Sequence, residues 1–389
     1  MPTPASPPET KVSQSTDFCF SHRLPCGRFD RKSAAPDNTD DMKFVPAKPN
    51  FSRFRPMRLF TAALALFFAL LPFCGCAAQE KTETFTAMDT VMTLTVYGGG
   101  NALDDAKVLI LGLEAELSVT AEGSAIRRLN EEGELELGED AAALVSEALA
   151  LCAETDGALD ITVYPVVRAW GFTTGDYRVP TEEELSALLP LVDHSAVKMS
   201  GSTVTLPAGA MIDLGAVAKG YASDRAAALL REKGVKSAIL NLGGNVYALG
   251  SKPDGSAWRV GVADPFGEGG AYSLVLSVTD MAVVTSGGYQ RYFEQDGVIY
   301  RHIIDPETGH PVDNGLASVT IVCEEGLRAD ALSTALYVMG YEKAVEYWKN
   351  HGGFDAVFIL NDGSIHITEG LESCLASASG GQTPEIIKK

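Results

Sequence analysis

Apolar and polar positions along the chain follow two rhythms. In Thr84–Gly98, Met92, Leu94 and Val96 alternate with Thr93 and Thr95, the period-two pattern of a strand with one buried face. Helical spacing marks roughly Asn101–Leu117, a stretch opening after Asp140 and running to Glu154, and an amphipathic segment Ala216–Glu232. Thr181 followed by Glu182-Glu183-Glu184 is a capping-box signature, for a helix that runs to Leu189 and stops at Pro190. Val197–Leu206 reads as a small hairpin around Gly201-Ser202, and Ser237–Leu240 and Val246–Leu249 as strands flanking Gly243-Gly244. Strand patterns dominate Trp258–Cys323. Two helices, Leu327–Met339 and Tyr341–Lys349, and a hairpin around Asn361-Asp362-Gly363 follow. Strand groups broken by helices predict an α+β domain rather than a doubly wound parallel sheet. No repeat of fixed period stands out.

The start of the chain has a different pattern. Residues 1–52 are rich in Pro, Ser, Asp and Lys without a periodic apolar face, as in a disordered extension. Arg53, Arg55 and Arg58 then precede the apolar run Leu59–Phe73, which is short for a bilayer span and has the layout of a signal peptide. Such a signal begins near an initiating methionine, so translation is expected to start near Met57, with residues 1–56 either an extension or an over-long start. The run ends in Phe73-Cys74-Gly75-Cys76. Cys76 after Gly75 suits the small-residue rule of bacterial lipoprotein signals, and Cys76 is the expected lipidation site. The expected organisation is a signal at 57–75, a spacer at 76–83, one large domain at 84–372 and a loose Ser/Gly/Pro-rich tail at 373–389.

Charge narrows the function classes. The 389 residues carry 51 acidic and 31 basic side chains, net −20. Residues 1–75 hold ten Lys/Arg and six Asp/Glu, a net of +4 that leaves −24 on the remainder. A body so acidic excludes sequence-independent nucleic-acid binding. Of seven cysteines only Cys152, Cys323 and Cys374 follow the signal region; they lack metal-ligand spacing and imply no disulfide framework.

Three segments carry candidate chemistry. In Ile212–Asp224 (IDLGAVAKGYASD) a glycine turn leads into a helix N-terminus, where free N–H groups and the helix dipole favour an anion and Lys219 adds charge; an ordinary capped helix with a surface lysine fits as well. Thr285–Tyr292 (TSGGYQRY) and His302–Pro311 (HIIDPETGHP) combine small residues with a histidine on a turn-rich loop, in a structural or a proton-accepting role. Asp330 and Thr334 are four apart on a helical pattern and could share a hard cation, or cap and pack. Asp156–Thr162 and Asn241–Asn245 hold glycines that permit close approach of a ligand or another strand.

Together these segments resemble the FAD:protein FMN transferases, the ApbE family. The likeness runs from Met88-Asp89-Thr90 to about Gly340 and takes in Ser124–Asn130, Asp156–Thr162, Trp170-Gly171-Phe172, Asp213–Asp224, Asn241–Asn245, Thr285–Tyr292, His302–Pro311 and Asp330–Thr334. The resemblance implies a single large α+β (T-fold-like) domain that binds FAD with Mg²⁺, transfers the FMN moiety to a threonine or serine of a target protein, and releases AMP. It also implies that Met88, Ala158, Leu159, Asp160, Asp213, Lys219 and Ile304 contact FAD. Mg²⁺ would be held by the Ala216 carbonyl with Asp330, Thr334 and Ser333, and His302 would deprotonate the target hydroxyl.

By the same resemblance the acceptor is a subunit of a membrane electron-transfer complex or a secreted flavoprotein. The enzyme itself would be lipid-anchored on the outer face of the bacterial cytoplasmic membrane. Two positions depart from the family pattern: Thr120 stands where an aromatic residue is common, and Asp89 where glycine is usual. An FAD-binding lipoprotein without chemistry, and an FAD pyrophosphatase that delivers the same phosphorus to water, are the competing readings.

Overall fold

The computed structural model describes residues 11–14, 79–268 and 270–389; the apolar run and Cys76 lie outside them. In chain order the elements are β1 (Lys11–Gln14), β2 (Glu80–Ala87), β3 (Thr90–Tyr97), α1 (Ala102–Leu117), α2 (Ala125–Glu132), β4 (Glu134–Glu136), α3 (Glu139–Glu154), α4 (Tyr164–Trp170), α5 (Glu182–Leu188), β5 (Lys198–Ser200), β6 (Thr203–Thr205), α6 (Ala218–Glu232), β7 (Ser237–Leu242) and β8 (Asn245–Gly250). They continue with β9 (Trp258–Ala263), β10 (Tyr272–Val278), β11 (Met281–Gly287), β12 (Arg291–Gln295), β13 (Val298–Arg301), β14 (Leu316–Cys323), α7 (Gly326–Met339), α8 (Tyr341–Asn350), β15 (Asp355–Leu360), β16 (Ile365–Thr368), β17 (Leu375–Ala378) and β18 (Glu385–Ile387).

Nine strands form the central sheet in the order β18-β16-β15-β14-β11-β8-β7-β3-β2, antiparallel except where β18 joins β16. From β7 to β15 the sheet is buried on both faces, whereas β2 and β3 keep one face partly exposed, and the pleat divides the interior strands' residues between two cores. Leu240 and Leu242 of β7, Tyr247 and Leu249 of β8 and Phe358 of β15 enter the core with the helices α1, α6 and α7. Their neighbours Ile239, Val246, Ala248, Val357 and Ile359 enter a second core, against Trp258, Val260, Leu274 and Leu276 of the small sheet β17-β10-β9. Burying one large side chain contributes about 1.5–3 kcal/mol, so both faces hold the sheet in place.

A third core joins Val166 and Trp170 of α4, Phe172, Leu185 of α5, Phe293 of β12 and Ile304. Trp170 Nε1 donates to the Gly309 carbonyl at 2.8 Å, fastening the turn at 305–310 onto α4. This cluster fixes the β12–β13 hairpin and, just beyond it, His302.

The capping box at Thr181 is present, and Cys152 and Cys323 are buried. Other features differ from the sequence reading. The strand expected over Thr84–Gly98 is most of a hairpin, β2–β3, that also takes in part of the expected spacer. Its turn, Met88-Asp89, has φ of +50° and +58°, the left-handed pair that such turns need and that Asn-Gly usually marks. The short helices α2 and α4 also went unread: α2 is only about two turns long and buries just Ile126 and Leu129, and its ends are set by the Ser124 side chain accepting from Arg127 N and by Gly133 at φ +80°.

The tail expected to be loose supplies β17 and β18, because Leu375, Ala378 and Ile386 pack against the second core. Within the segment expected to be a disordered extension, Lys11–Gln14 pairs antiparallel with β12. Among the described residues no helix is long and apolar enough to cross a membrane.

Candidate functional site

The site is built around the crossing of α6 and α7. The Asn130 carboxamide of α2 donates to the Ile212 carbonyl at 2.8 Å and accepts from its N–H at 2.7 Å, so a residue 82 positions away sets the approach to α6. The helices touch backbone to backbone at Gly220. A Cβ there would overlap the Gly326 carbonyl and come within 2.7 Å of Asp330 Cβ. That closeness lets Asp330 Oδ2 of α7 accept the Gly220 N–H of α6 at 2.8 Å.

One turn earlier in α6 this bond has a consequence. The Gly220 N–H would otherwise close onto the carbonyl of Ala216, the first full turn of a helix; given to Asp330, it leaves that oxygen available. Thr334 follows Asp330 by one turn. Its hydroxyl lies 3.1 Å from that of Ser286. Ser333 is fully buried and committed, donating to the Asp330 carbonyl and sitting 2.8 Å from Ser286 Oγ.

Ala216, Asp330 and Thr334 therefore offer carbonyl, carboxylate and hydroxyl oxygens, the donor chemistry of a hard divalent cation, while Ser333 does not. Among the described residues there is no group of three or more His, Cys, Asp or Glu placed to hold a metal, so such an ion would rely on neutral oxygens. Lys219 Nζ stands 3.8 Å from Asp330 Oδ2 and donates to the Gly215 carbonyl at 3.1 Å. Burial raises the Asp330 pKa against the opposing pull of Lys219, the Gly220 N–H and the nearby Asn245 amide. Both polar atoms of that amide are buried and complete no hydrogen bond.

His302 lies beyond the hairpin. Its Nδ1 is 3.0 Å from the Arg291 carbonyl, and its backbone N–H bonds the same oxygen at 3.1 Å. A carbonyl only accepts, so Nδ1 carries the proton and Nε2 is the basic nitrogen. Burial first, then the charges of Arg291 and Lys219, lower its pKa to about 4, so the ring is neutral at pH 7.

Asp213 shares this neighbourhood. Its Oδ1 accepts the Gly215 N–H at 2.8 Å, and its pKa is raised by desolvation, opposed by Gly215, Lys219 and Arg291 and aided by Asp89. The charge of Asp89 reaches Asp213 through space, and the bond from Asp213 N to the Ile161 carbonyl at 2.8 Å brings the 158–161 segment to it.

Met88, Ala158, Leu159, Asp213, Lys219, His302 and Asp330 thus belong to one locality. Ile304, two residues past His302, is buried in the third core and bridges to Pro311. Asp160 is brought near but its carboxylate is spent. Oδ1 accepts from Thr162 N and Oγ1 at 2.8 and 2.6 Å, and Oδ2 meets His194 N and Nδ1 at 3.1 and 2.8 Å. Asp160 thus shapes the loop through Thr162 and His194.

Sequence reasoning missed the structural work of Asn130 and the charge of Arg291. Both lay inside recognised segments, but nothing in their spacing separates them from surface residues.

The model of the ApbE family matches residues 88–358. The FAD:protein FMN transferase of Treponema pallidum is 36% identical over 325 residues, 77% of this chain and 90% of that protein. The Escherichia coli K12 protein of the same name is 34% identical over 324 residues, 76% and 92% of the two chains. Among solved structures, the ApbE protein of Thermotoga maritima superposes with a TM-score of 0.73 at 32% identity, covering 77% of this chain and all of that one. On this matching sequence, fold and arrangement of segments, the chain belongs to the ApbE family.

Proposed function

We propose that the protein is a Mg²⁺-dependent FAD:protein FMN transferase that moves the FMN moiety of FAD to a threonine or serine hydroxyl of a target protein and releases AMP. Relatives are named for the coarser activity, FMN transfer from FAD to a protein. The observation that carries the reading is local: a neutral imidazole with Nδ1 tied down and Nε2 free shares one neighbourhood with Lys219 and the oxygens around Asp330.

In this reading the hydroxyl oxygen bonds to the FMN-side phosphorus, the bond from that phosphorus to the AMP oxygen breaks, and the hydroxyl proton passes to His302 Nε2. Ala216, Asp330 and Thr334 would hold Mg²⁺, which when bound offsets charge on the pyrophosphate and the departing AMP. Lys219 supports the same charge from the first turn of α6. Met88, the Ala158–Asp160 loop, Asp213 and Ile304 bound the flavin side.

Lipid attachment at Cys76, outside the described residues, would put the enzyme on the outer face of the cytoplasmic membrane. Its acceptor there would be a subunit of an electron-transfer complex or a secreted flavoprotein. The signal-like run before Cys76 supports this placement.

The test incubates the protein with FAD, Mg²⁺ and an acceptor protein. Covalent flavin fluorescence on the acceptor with equimolar AMP, lost on chelation, is expected. Free FMN plus AMP would make it a pyrophosphatase, and intact FAD a binding protein. His302→Ala should slow single-turnover transfer by about 10²–10⁴-fold with FAD still bound, and His310→Ala far less. Equal losses in the two variants would move the base elsewhere.

A further inference from the structure

Arg291 is a cation that acts on Asp213 only from beyond ion-pair distance. It opens β12, and its guanidinium makes one neutral hydrogen bond, from Nη2 to the Phe172 carbonyl at 2.6 Å. Its Nε is buried without a partner, and no ion pair among the described residues includes it. A half-buried guanidinium with a buried, unpartnered Nε–H has donors to spare for an anion, and its planar fork suits phosphate oxygens.

The position identifies the anion. The guanidinium is held by the carbonyl of Phe172, whose ring meets the His302 imidazole edge-on with centroids 6.5 Å apart, so an anion on Arg291 sits close to the imidazole. His302 in turn hangs from the carbonyl of Arg291 itself.

We infer that Arg291 binds the flavin-side phosphate of FAD through its guanidinium, whose Nη1 makes no hydrogen bond among the described residues, and so holds the reacting phosphorus opposite His302 Nε2. This rests on the proposed transferase reading and adds to it a second fixed cation, carried by the residue that also orients the base. The charged groups that face His302 are Arg291 and Lys219, with the ring of Phe172 edge-on to it. The pyrophosphate, with one negative charge on each phosphorus, offsets the effect of the two cations on the imidazole. FAD binding therefore makes His302 a stronger base than it is in the free protein.

The experiment measures affinities of the full-length protein and its Arg291→Gln and Arg291→Lys variants for FAD, FMN and riboflavin, by flavin fluorescence, with single-turnover transfer against pH. Arg291→Gln should weaken FAD and FMN by about tenfold to a hundredfold and leave riboflavin unchanged, the cost of one charge-assisted bond. Arg291→Lys should recover part of that loss. In the Gln variant the acid limb of transfer should move to higher pH, since a cation near His302 is gone.

Loss of riboflavin equal to that of FAD would mean that Arg291 only packs against Phe172, and unchanged FAD affinity would refute the contact outright. Phosphate-dependent binding that needs Arg291, in a protein with no transfer, would sustain the inference and remove the proposed function instead.

Discussion

Two aspartates sit one turn apart on the same helix crossing and have opposite fates. Asp224 of α6 reaches the N-terminus of α7, where its two oxygens accept the N–H groups of Gly326 and Leu327 at 2.7 and 2.8 Å. Asp330 of α7 reaches the first turn of α6, where it accepts the Gly220 N–H and stands 3.8 Å from Lys219. Each helix thus lends a carboxylate to the start of the other. Asp224 spends both oxygens on orphan donors that every helix start must satisfy. Asp330 spends one, and in doing so releases the Ala216 carbonyl. A carboxylate whose acceptors are filled is architecture; one left partly free, among other free oxygens, can bind a ligand.

Cavity size does not locate the site. The hollow of about 830 Å³ lined by Asp224, Arg231, Tyr247, Asp280, Glu325 and their neighbours lies at the Asp224 side, and neither Asp330 nor His302 lines it.

The largest contrast comes from removing each carboxylate. Asp330→Ala should reduce transfer by roughly a thousandfold or more, since it deletes the only charged oxygen offered to the cation. Its fold should hold, because the Gly220 N–H can then close onto the Ala216 carbonyl. Asp224→Ala should do the reverse, stranding two N–H groups at a helix start and costing about 2 kcal/mol while leaving transfer at low temperature near wild type. Thermal melts and single-turnover assays on both variants read the comparison. A stability loss in Asp330→Ala as large as in Asp224→Ala would collapse the distinction.

Gly220→Ala presses on the contact the two residues share. The added methyl would overlap the Gly326 carbonyl, and backbone cannot move aside as a side-chain tip can. Forcing α6 and α7 apart should cost about 1–3 kcal/mol and lower transfer together with stability, because Asp330 loses its N–H anchor. Wild-type melting and wild-type activity in this variant would show that the close approach is not needed.

Little of this division could be read from the chain. Period-two strands and the Thr181 capping box depend on neighbouring residues, and both were legible. The Met88-Asp89 turn was not: Asp tolerates a left-handed backbone but Met does not favour one, and the pairing of β2 with β3 imposes it. The C-terminal strands depend on a few apolar contacts with a core assembled from distant segments.

At the site, the resemblance to a family marked Asp213, Lys219, His302, Asp330 and Thr334. It did not show that Asp160 is consumed by Thr162 and His194, that Ser333 is committed, or that Asn130 clamps Ile212. Each of those facts is a hydrogen bond whose partner the sequence does not name. Asp224 and Asp330 are alike in this respect, both acidic residues on helices, told apart only by which backbone donors the fold brings to them.

The last comparison, read as a pH trend and not as a loss of activity, isolates the charge of Asp224 from its caps. Burial outweighs the two N–H bonds and raises its pKa to about 6, from 3.8. A carboxyl group whose pKa is higher folded than unfolded contributes stability that is complete below pH 3.8 and lost as pH rises through 6. Asp224→Asn keeps an acceptor and has no charge to desolvate. Relative to wild type the variant should therefore look worst near pH 4, where the protonated acid is at its most stable. It should gain on wild type as pH rises to 7.5, by up to about 2–3 kcal/mol and chiefly between pH 4 and 7. Denaturant melts of the two proteins across that range give the difference directly. A gap independent of pH would mean that solvent in the adjoining cavity already hydrates Asp224, and that the carboxylate caps α7 without a desolvation penalty.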